Sequence, residues 1–214
     1  MRVGILGSGL MGGKLGTLFA RAGHEVVFSY ARSEHKLKQL AREADGRARA
    51  GSPAEAVRES EALLLAVHWS RLDDVLEQAG DLAGKVLISC SLPMNVNDTA
   101  LVVGHGTSGA EELGRKVAPT PVVTAFSTVP SEVLCSVFAA RGKRNPPSLV
   151  YCGDDEQAKH LTAKLIRDAG FEPLDAGPLR IARYVEPFSL LVAQLAYEGS
   201  GSPQIAYRFD RFGE

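Results

Sequence analysis

The chain carries almost no net charge. Its 24 Lys and Arg are balanced by 25 Asp and Glu, leaving −1 at neutral pH with histidine uncharged. Proteins that attract nucleic acid or an anionic membrane through a long-range field carry a basic excess, so neither partner is expected. Cysteine is scarce as well. Cys90, Cys135 and Cys152 are odd in number and lack metal-ligand spacing. They support neither a disulfide framework nor a metal site, and read as reduced thiols of a cytoplasmic protein. No apolar run reaches the roughly 18 residues of a membrane span. There is no internal repeat and no low-complexity tract. The first residues lead directly into an apolar run, so a secretory signal is not expected. What remains is an ordinary globular composition, 45% hydrophobic and 23% charged over 214 residues. It suits one large domain, or one domain with a smaller appendage.

The informative stretch is the first. Val3 to Leu6 reads as a buried strand, and Gly7, Gly9 and Gly12 then give G-x-G-x-x-G. Residues 14–23 follow with helical spacing and a glycine stop. In a strand–turn–helix of this kind, Gly7 makes the tight turn and Gly9 lets the backbone approach a pyrophosphate. Gly12 lets the helix pack closely on the strand. Backbone N–H groups and the helix dipole favour the negative charge. The second strand, residues 24–29, lacks the terminal carboxylate that binds the adenosine ribose of NAD. In its place stand Ser29, Arg32 and Lys36. A hydroxyl, a guanidinium fork and a point charge suit the 2′-phosphate of NADP.

Further elements arrive at regular spacing. Residues 33–44 read as a helix, 47–50 as a short strand, and Ser52-Pro53-Ala54-Glu55 as a capping box with proline at the first helical position. The apolar runs 62–67, 85–90 and 121–126 read as central parallel strands. Ser108-Gly109-Ala110-Glu111 opens another helix in the same capping pattern. These elements predict an α/β fold, a doubly wound parallel-sheet Rossmann domain over 1–126. A smaller C-terminal α/β part over 127–214 would cover the cleft. In it, 148–152 and 171–175 read as strands, and 179–197 as a long helix kinked or divided at Pro187. Residues 127–131 read as loop, and the basic segment 141–147 as a turn. The apolar side chains Leu190, Leu191, Val192 and Leu195 fit either a homodimer face or core.

The chain resembles the NADPH-dependent reductases of the deazaflavin coenzyme F-420 over nearly its whole length. The resemblance is carried by Ser29, Arg32 and Lys36, by Trp69, and by Thr128-Val129-Pro130. Cys152-Gly153-Asp154-Asp155, Leu174 to Leu179, Arg183-Tyr184-Val185-Glu186 and the 199–201 glycines extend it. It implies that the backbone of Ser8, Gly9, Leu10 and Met11 holds the pyrophosphate, and that Ser29, Arg32 and Lys36 hold the 2′-phosphate. Val67 and His68 would lie by the nicotinamide ribose, and Ser131 would meet the carboxamide through its backbone. Val129, with Ser127 and Thr128 beside it, would support the stacked nicotinamide and deazaflavin rings. The stretch 199–201 would border the second ring. The family has a histidine where this chain has Ser127, and the loop 141–147 is not a family signature. A related branch is the reductase domain of the six-transmembrane metalloreductases, which passes hydride to a flavin.

Hydride transfer between stacked rings needs positioning and exclusion of water more than acid–base chemistry. The implied activity is therefore hydride exchange between NADPH and F-420 or a flavin. Two other readings stand beside it. One is an NADP-dependent reductase of a small carbonyl or imine, with His68, His105 or Tyr184 as proton donor. The other is a non-catalytic NADP-binding protein.

Overall fold

The first apolar run forms β1 (Arg2–Leu6), buried from Val3 onward. The structure, a computed structural model, describes residues 1–45, 47–104 and 106–213. After β1 come α1 (Leu10–Arg21), β2 (Glu25–Ser29), α2 (Glu34–Glu43), β3 (Ala48–Ala50) and α3 (Pro53–Glu59). Next are β4 (Ala62–Leu65), α4 (Leu72–Ala79), β5 (Val86–Ser89), α5 (Gly109–Lys116) and β6 (Val122–Thr124). The strands lie in the order β3-β2-β1-β4-β5-β6, every neighbouring pair parallel. This is the doubly wound Rossmann arrangement expected from the alternation of strands and helices.

The chain then adds α6 (Leu134–Ala139), β7 (Ser148–Gly153), α7 (Glu156–Asp168), β8 (Glu172–Asp175) and α8 (Ala182–Ala193). Strand β7 pairs antiparallel with β6, and β8 pairs parallel with β7. The C-terminal residues thus extend the same sheet to eight strands. Helix α6 falls between the expected loop and the basic turn, in a stretch for which no element was expected. Its six residues carry no side-chain cap and no acidic residue in the first turn, so the usual start signals are absent. Helix α8 runs unbroken through Pro187 rather than being divided there. Its apolar residues split between two faces: Val192 is buried, while Leu191 and Leu195 are exposed.

Alternation along the strands separates two core layers. Ile5, Leu64 and Ile88 point to one side with Phe19, Phe28, Phe126 and Leu165. Leu6, Leu63, Leu65 and Leu87 point to the other, with Val75, Leu113 and Val185. The expected capping box at Ser52 with Glu55 is complete, and Ser33 also caps its helix, its side chain accepting from the Lys36 N–H. Among the described residues, no helix is long and apolar enough to cross a membrane, and no group of three or more His, Cys, Asp or Glu could hold a metal.

The start of α5 is more elaborate than a capping box. Ser108 accepts from the Glu111 N–H at 3.1 Å, as expected. The Glu111 carboxylate instead receives Arg183 of α8 in a forked pair at 2.8 and 2.7 Å. A second carboxylate from α8, that of Glu186, accepts from the N–H groups of Gly109 and Ala110 at 3.0 and 2.9 Å. Glu186 is 2% exposed. Burial raises its carboxyl to about 6 despite those two N–H groups. A carboxyl raised in the folded state favours folding below its unfolded value of about 4.5 and loses that contribution as pH climbs through 6. Glu186→Gln removes this titration. Denaturant melts from pH 4.5 to 7 are expected to show the variant gaining on the wild type by about 2 kcal/mol across that window. A constant difference across it would refute the assignment.

Candidate functional site

The turn from β1 into α1 has no room for side chains except at one point. Gly7 has φ +113°, and a Cβ there would stand 2.4 Å from the Ala66 carbonyl oxygen. A Cβ on Gly12 would stand 1.9 Å from the Gly7 carbonyl oxygen. At Gly9 a Cβ would meet nothing within 4 Å, so the turn is open to solvent there. Gly9 is the N-cap of α1, with no side-chain cap and no acidic residue in the first turn. The first N–H groups of the helix therefore lack side-chain acceptors, which suits an anion. The N–H of Ser8 does not belong with them. It donates to the Tyr30 carbonyl at 3.0 Å, and the Ser8 hydroxyl donates to the Ser29 carbonyl at 2.8 Å. The Ser8 N–H expected to face a pyrophosphate is thus engaged within the fold.

A cleft of about 990 Å³ opens beside this turn. Gly7, Ser8, Gly9 and Leu10 form its floor, and Arg32 and Lys36 form one wall. Val67 and His68 lie on the wall beyond β4, joined by Ser70, Arg71 and Asp74. The nearest carboxylate on the α2 side, Glu34, pairs with Lys38 at 2.7 Å. Arg32 and Lys36 are left without an ion-pair partner among the described residues. The set fits a dinucleotide phosphate: an open glycine turn shares one cleft with Arg32, Lys36 and Arg71, three cations without an ion-pair partner among the described residues.

Ser29 is brought close but turned away. It is fully buried, and its hydroxyl donates to the Ile5 carbonyl at 2.7 Å, tying β2 to β1. This corrects the expected phosphate contact, because a hydroxyl donating within the sheet does not reach the cleft. Met11 is half-buried, and Gly12 lies beneath the turn. Val67 is fixed by Ser91, whose hydroxyl donates to its carbonyl at 2.8 Å. His68 is held at both ring nitrogens: Nδ1 accepts from the Ser70 N–H at 3.2 Å, and Nε2 faces Asp98 Oδ1 at 3.1 Å. With Nδ1 accepting, the ring proton sits on Nε2 and is donated to Asp98.

The segment 127–131 does not line this cleft. Val129 and Thr128 are buried, at 3% and 0% exposure. Val129 packs in the core layer with Phe126 and Leu134. The Thr128 hydroxyl meets the Tyr207 phenol at 2.7 Å, and that phenol also accepts from the Val150 N–H at 3.1 Å. Ser127 is half-buried and accepts from the Ser189 hydroxyl at 3.2 Å. Val129 thus lies in the core rather than on the surface of this cleft, while Thr128 is bonded to the C-terminal tail. Ser131 is linked to α1 instead, where Lys14 Nζ donates to its carbonyl and hydroxyl, both at 3.0 Å. Glu132 receives the Tyr197 phenol at 2.9 Å. Sequence reasoning missed Lys14; a lysine one turn beyond the glycine motif was its only signal. Of the three proton-donor candidates, His68 is in the cleft, Tyr184 is exposed on α8, and His105 lies outside the described residues.

Sheet order, glycine turn and cleft together define a Rossmann-type dinucleotide-binding protein. Residues 2–93 match the family described as NADP oxidoreductase, coenzyme F-420-dependent. Metalloreductase STEAP3 of Rattus norvegicus is 31% identical over 189 residues, which are 88% of this chain and 36% of that protein. Metalloreductase STEAP2 of Homo sapiens is 25% identical, with the same coverage. The chain thus spans about a third of the length of the curated relatives it matches. A solved structure from Arthrobacter sp. FB24, described as a candidate F-420-dependent NADP reductase, superposes with a TM-score of 0.85 at 22% identity. The match covers 99% of this chain and 100% of that one. An imine reductase of Streptomyces aurantiacus gives 0.68 at 21% identity, over 92% of this chain and 62% of its own. At these identities the structural matches establish the fold.

Proposed function

We propose that this chain is an NADPH-dependent oxidoreductase that passes hydride between NADPH and a deazaflavin of the F-420 type or a flavin. The observation that carries the reading is the pair of unpartnered cations, Arg32 and Lys36, in the same cleft as the open turn at Gly9. When bound, the nicotinamide supplies the hydride. The chain's own part is to bind and orient. The N–H groups that begin α1 hold the pyrophosphate, and Arg32 and Lys36 hold the 2′-phosphate. Val67, fixed by Ser91, gives the nicotinamide half a rigid wall. Lys14 ties Ser131 to the phosphate-binding helix, so that the 127–131 segment and the turn keep their spacing. None of Ser127, Thr128 and Val129 titrates, which suits ring-to-ring transfer.

A second reading has one observation in its favour. His68 stands in the cleft with Asp98 against Nε2, and release of Nδ1 from the Ser70 N–H would let the Asp98-paired ring deliver a proton to a carbonyl or imine as it is reduced. The test is anaerobic oxidation of NADPH followed at its nicotinamide absorbance, with NADH as control. F-420, FMN, FAD and riboflavin are offered in turn, then small carbonyls and imines. Turnover with a deazaflavin or flavin that survives His68→Ala is the expected result. Turnover confined to carbonyls or imines and abolished by His68→Ala would move the assignment to the second reading.

A further inference from the structure

Tyr30 links the floor of the cleft to its wall at α4. It follows β2 directly and holds a left-handed backbone, φ 54°, which is costly for a bulky side chain. That conformation aims its carbonyl at the Ser8 N–H. Its phenol crosses to α4 and is hydrogen-bonded to the Asp74 carboxylate. Asp74 is braced from its own helix by Gln78 at 3.0 Å, and the phenol holds its carboxyl below the usual range. Tyr30, Asp74 and Gln78 all line the cleft.

The positions of the phosphates fix what must pass this bond. With the pyrophosphate on the start of α1 and the 2′-phosphate on Arg32 and Lys36, the ribose between them lies against the end of β2. The adenine it carries then extends toward the opposite wall, where Asp74 stands. The Tyr30–Asp74 bond spans that interval. We propose that Tyr30 is the gate of the adenosine half, closed by its bond to Asp74, and that nucleotide binding exchanges this bond for contact between the tyrosine ring and the adenine. The proposal rests on the NADP reading of the cleft.

The two parts of the role separate by substitution. Tyr30→Phe keeps the ring and removes the bond. Tyr30→Asn removes the ring with a residue that tolerates the left-handed backbone. Stopped-flow binding of NADPH, followed by nicotinamide fluorescence, gives association and dissociation rates; thermal melts check that the variants fold. Tyr30→Phe is expected to bind about tenfold faster, the scale of one hydrogen bond to a charged group. Asp74→Asn is expected to accelerate binding in the same direction. Tyr30→Asn is expected to release NADPH severalfold faster than Tyr30→Phe. Reduced nicotinamide mononucleotide, which lacks the adenosine half, is expected to bind all four proteins alike. NADPH binding to wild type and Tyr30→Phe at equal rates would overturn the gate and leave the cofactor reading intact. No NADPH binding by the wild type would overturn both.

Discussion

Arg32→Ala is expected to weaken NADPH binding about tenfold to a hundredfold and to leave NADH binding nearly unchanged. The two nucleotides differ only by the 2′-phosphate, so a residue that touches that group alone discriminates between them. Arg32 lines the cleft and has no ion-pair partner among the described residues. Its guanidinium is therefore available without first breaking another contact. A planar fork of N–H donors meets two phosphate oxygens at once, which is why the effect is placed above that of Lys36. Lys36→Ala is expected to cost about two- to fivefold, since a flexible point charge in water is worth less. Salt gives an independent check. Raising ionic strength from about 0.05 to 0.5 M screens exposed charges and is expected to narrow the NADPH preference of the wild type more than that of the double variant. Fluorescence titration with both nucleotides measures all of this. Equal losses for NADPH and NADH would place Arg32 elsewhere than the 2′-phosphate.

The parts of this protein that were legible in its sequence are those with local causes. The strand, the three glycines and the following helix sit together in the chain. The capping box at Ser52 is set within four residues, and it is present. What was not legible depends on residues far apart in sequence. Ser29 is polar and stands at a strand end, where a ligand contact is the natural reading. Only the register of β1 beside β2 shows its hydroxyl committed to Ile5. Thr128 is bonded by Tyr207, which returns from the tail to reach β7 as well, and Val129 packs with Phe126 and Leu134 in the core. Glu186 had a readable trace: it shares the buried stripe of α8 with Ala182, Val185 and Ser189. A carboxylate on such a stripe needs N–H partners, but nothing local says that they belong to α5. Helix α6 lacked any start signal, because its packing and not its caps defines it.

Gly12→Ala and Gly9→Ala differ by a single position type and are expected to fail in opposite ways. At Gly12 the new methyl would lie 1.9 Å from the Gly7 carbonyl oxygen and 3.0 Å from the Ala66 side chain. The first contact is with backbone and cannot be relieved by a rotamer change. Gly7 cannot yield easily either, since its φ of +113° and the 2.4 Å approach of its own Cβ position to Ala66 already pin the turn. Helix α1 must move off β1, and α1 buries Leu15, Leu18 and Phe19 against the sheet. Overpacking of this kind costs about 3 kcal/mol, a fall in Tm of roughly 6–12 °C for a chain of this length. Gly9 has φ −76° and open space around its Cβ position. A methyl there is accommodated, and Tm is expected to change by less than about 2 °C. The methyl does, however, occupy the space through which a pyrophosphate would approach the helix N-terminus, so NADPH affinity is expected to fall at least about tenfold. A calorimetric melt and a nucleotide titration on the two variants separate the roles. If Gly9→Ala bound NADPH as the wild type does, the pyrophosphate would not lie against that turn, and the cofactor pose on which Arg32, Lys36 and Tyr30 are assigned would have to be redrawn.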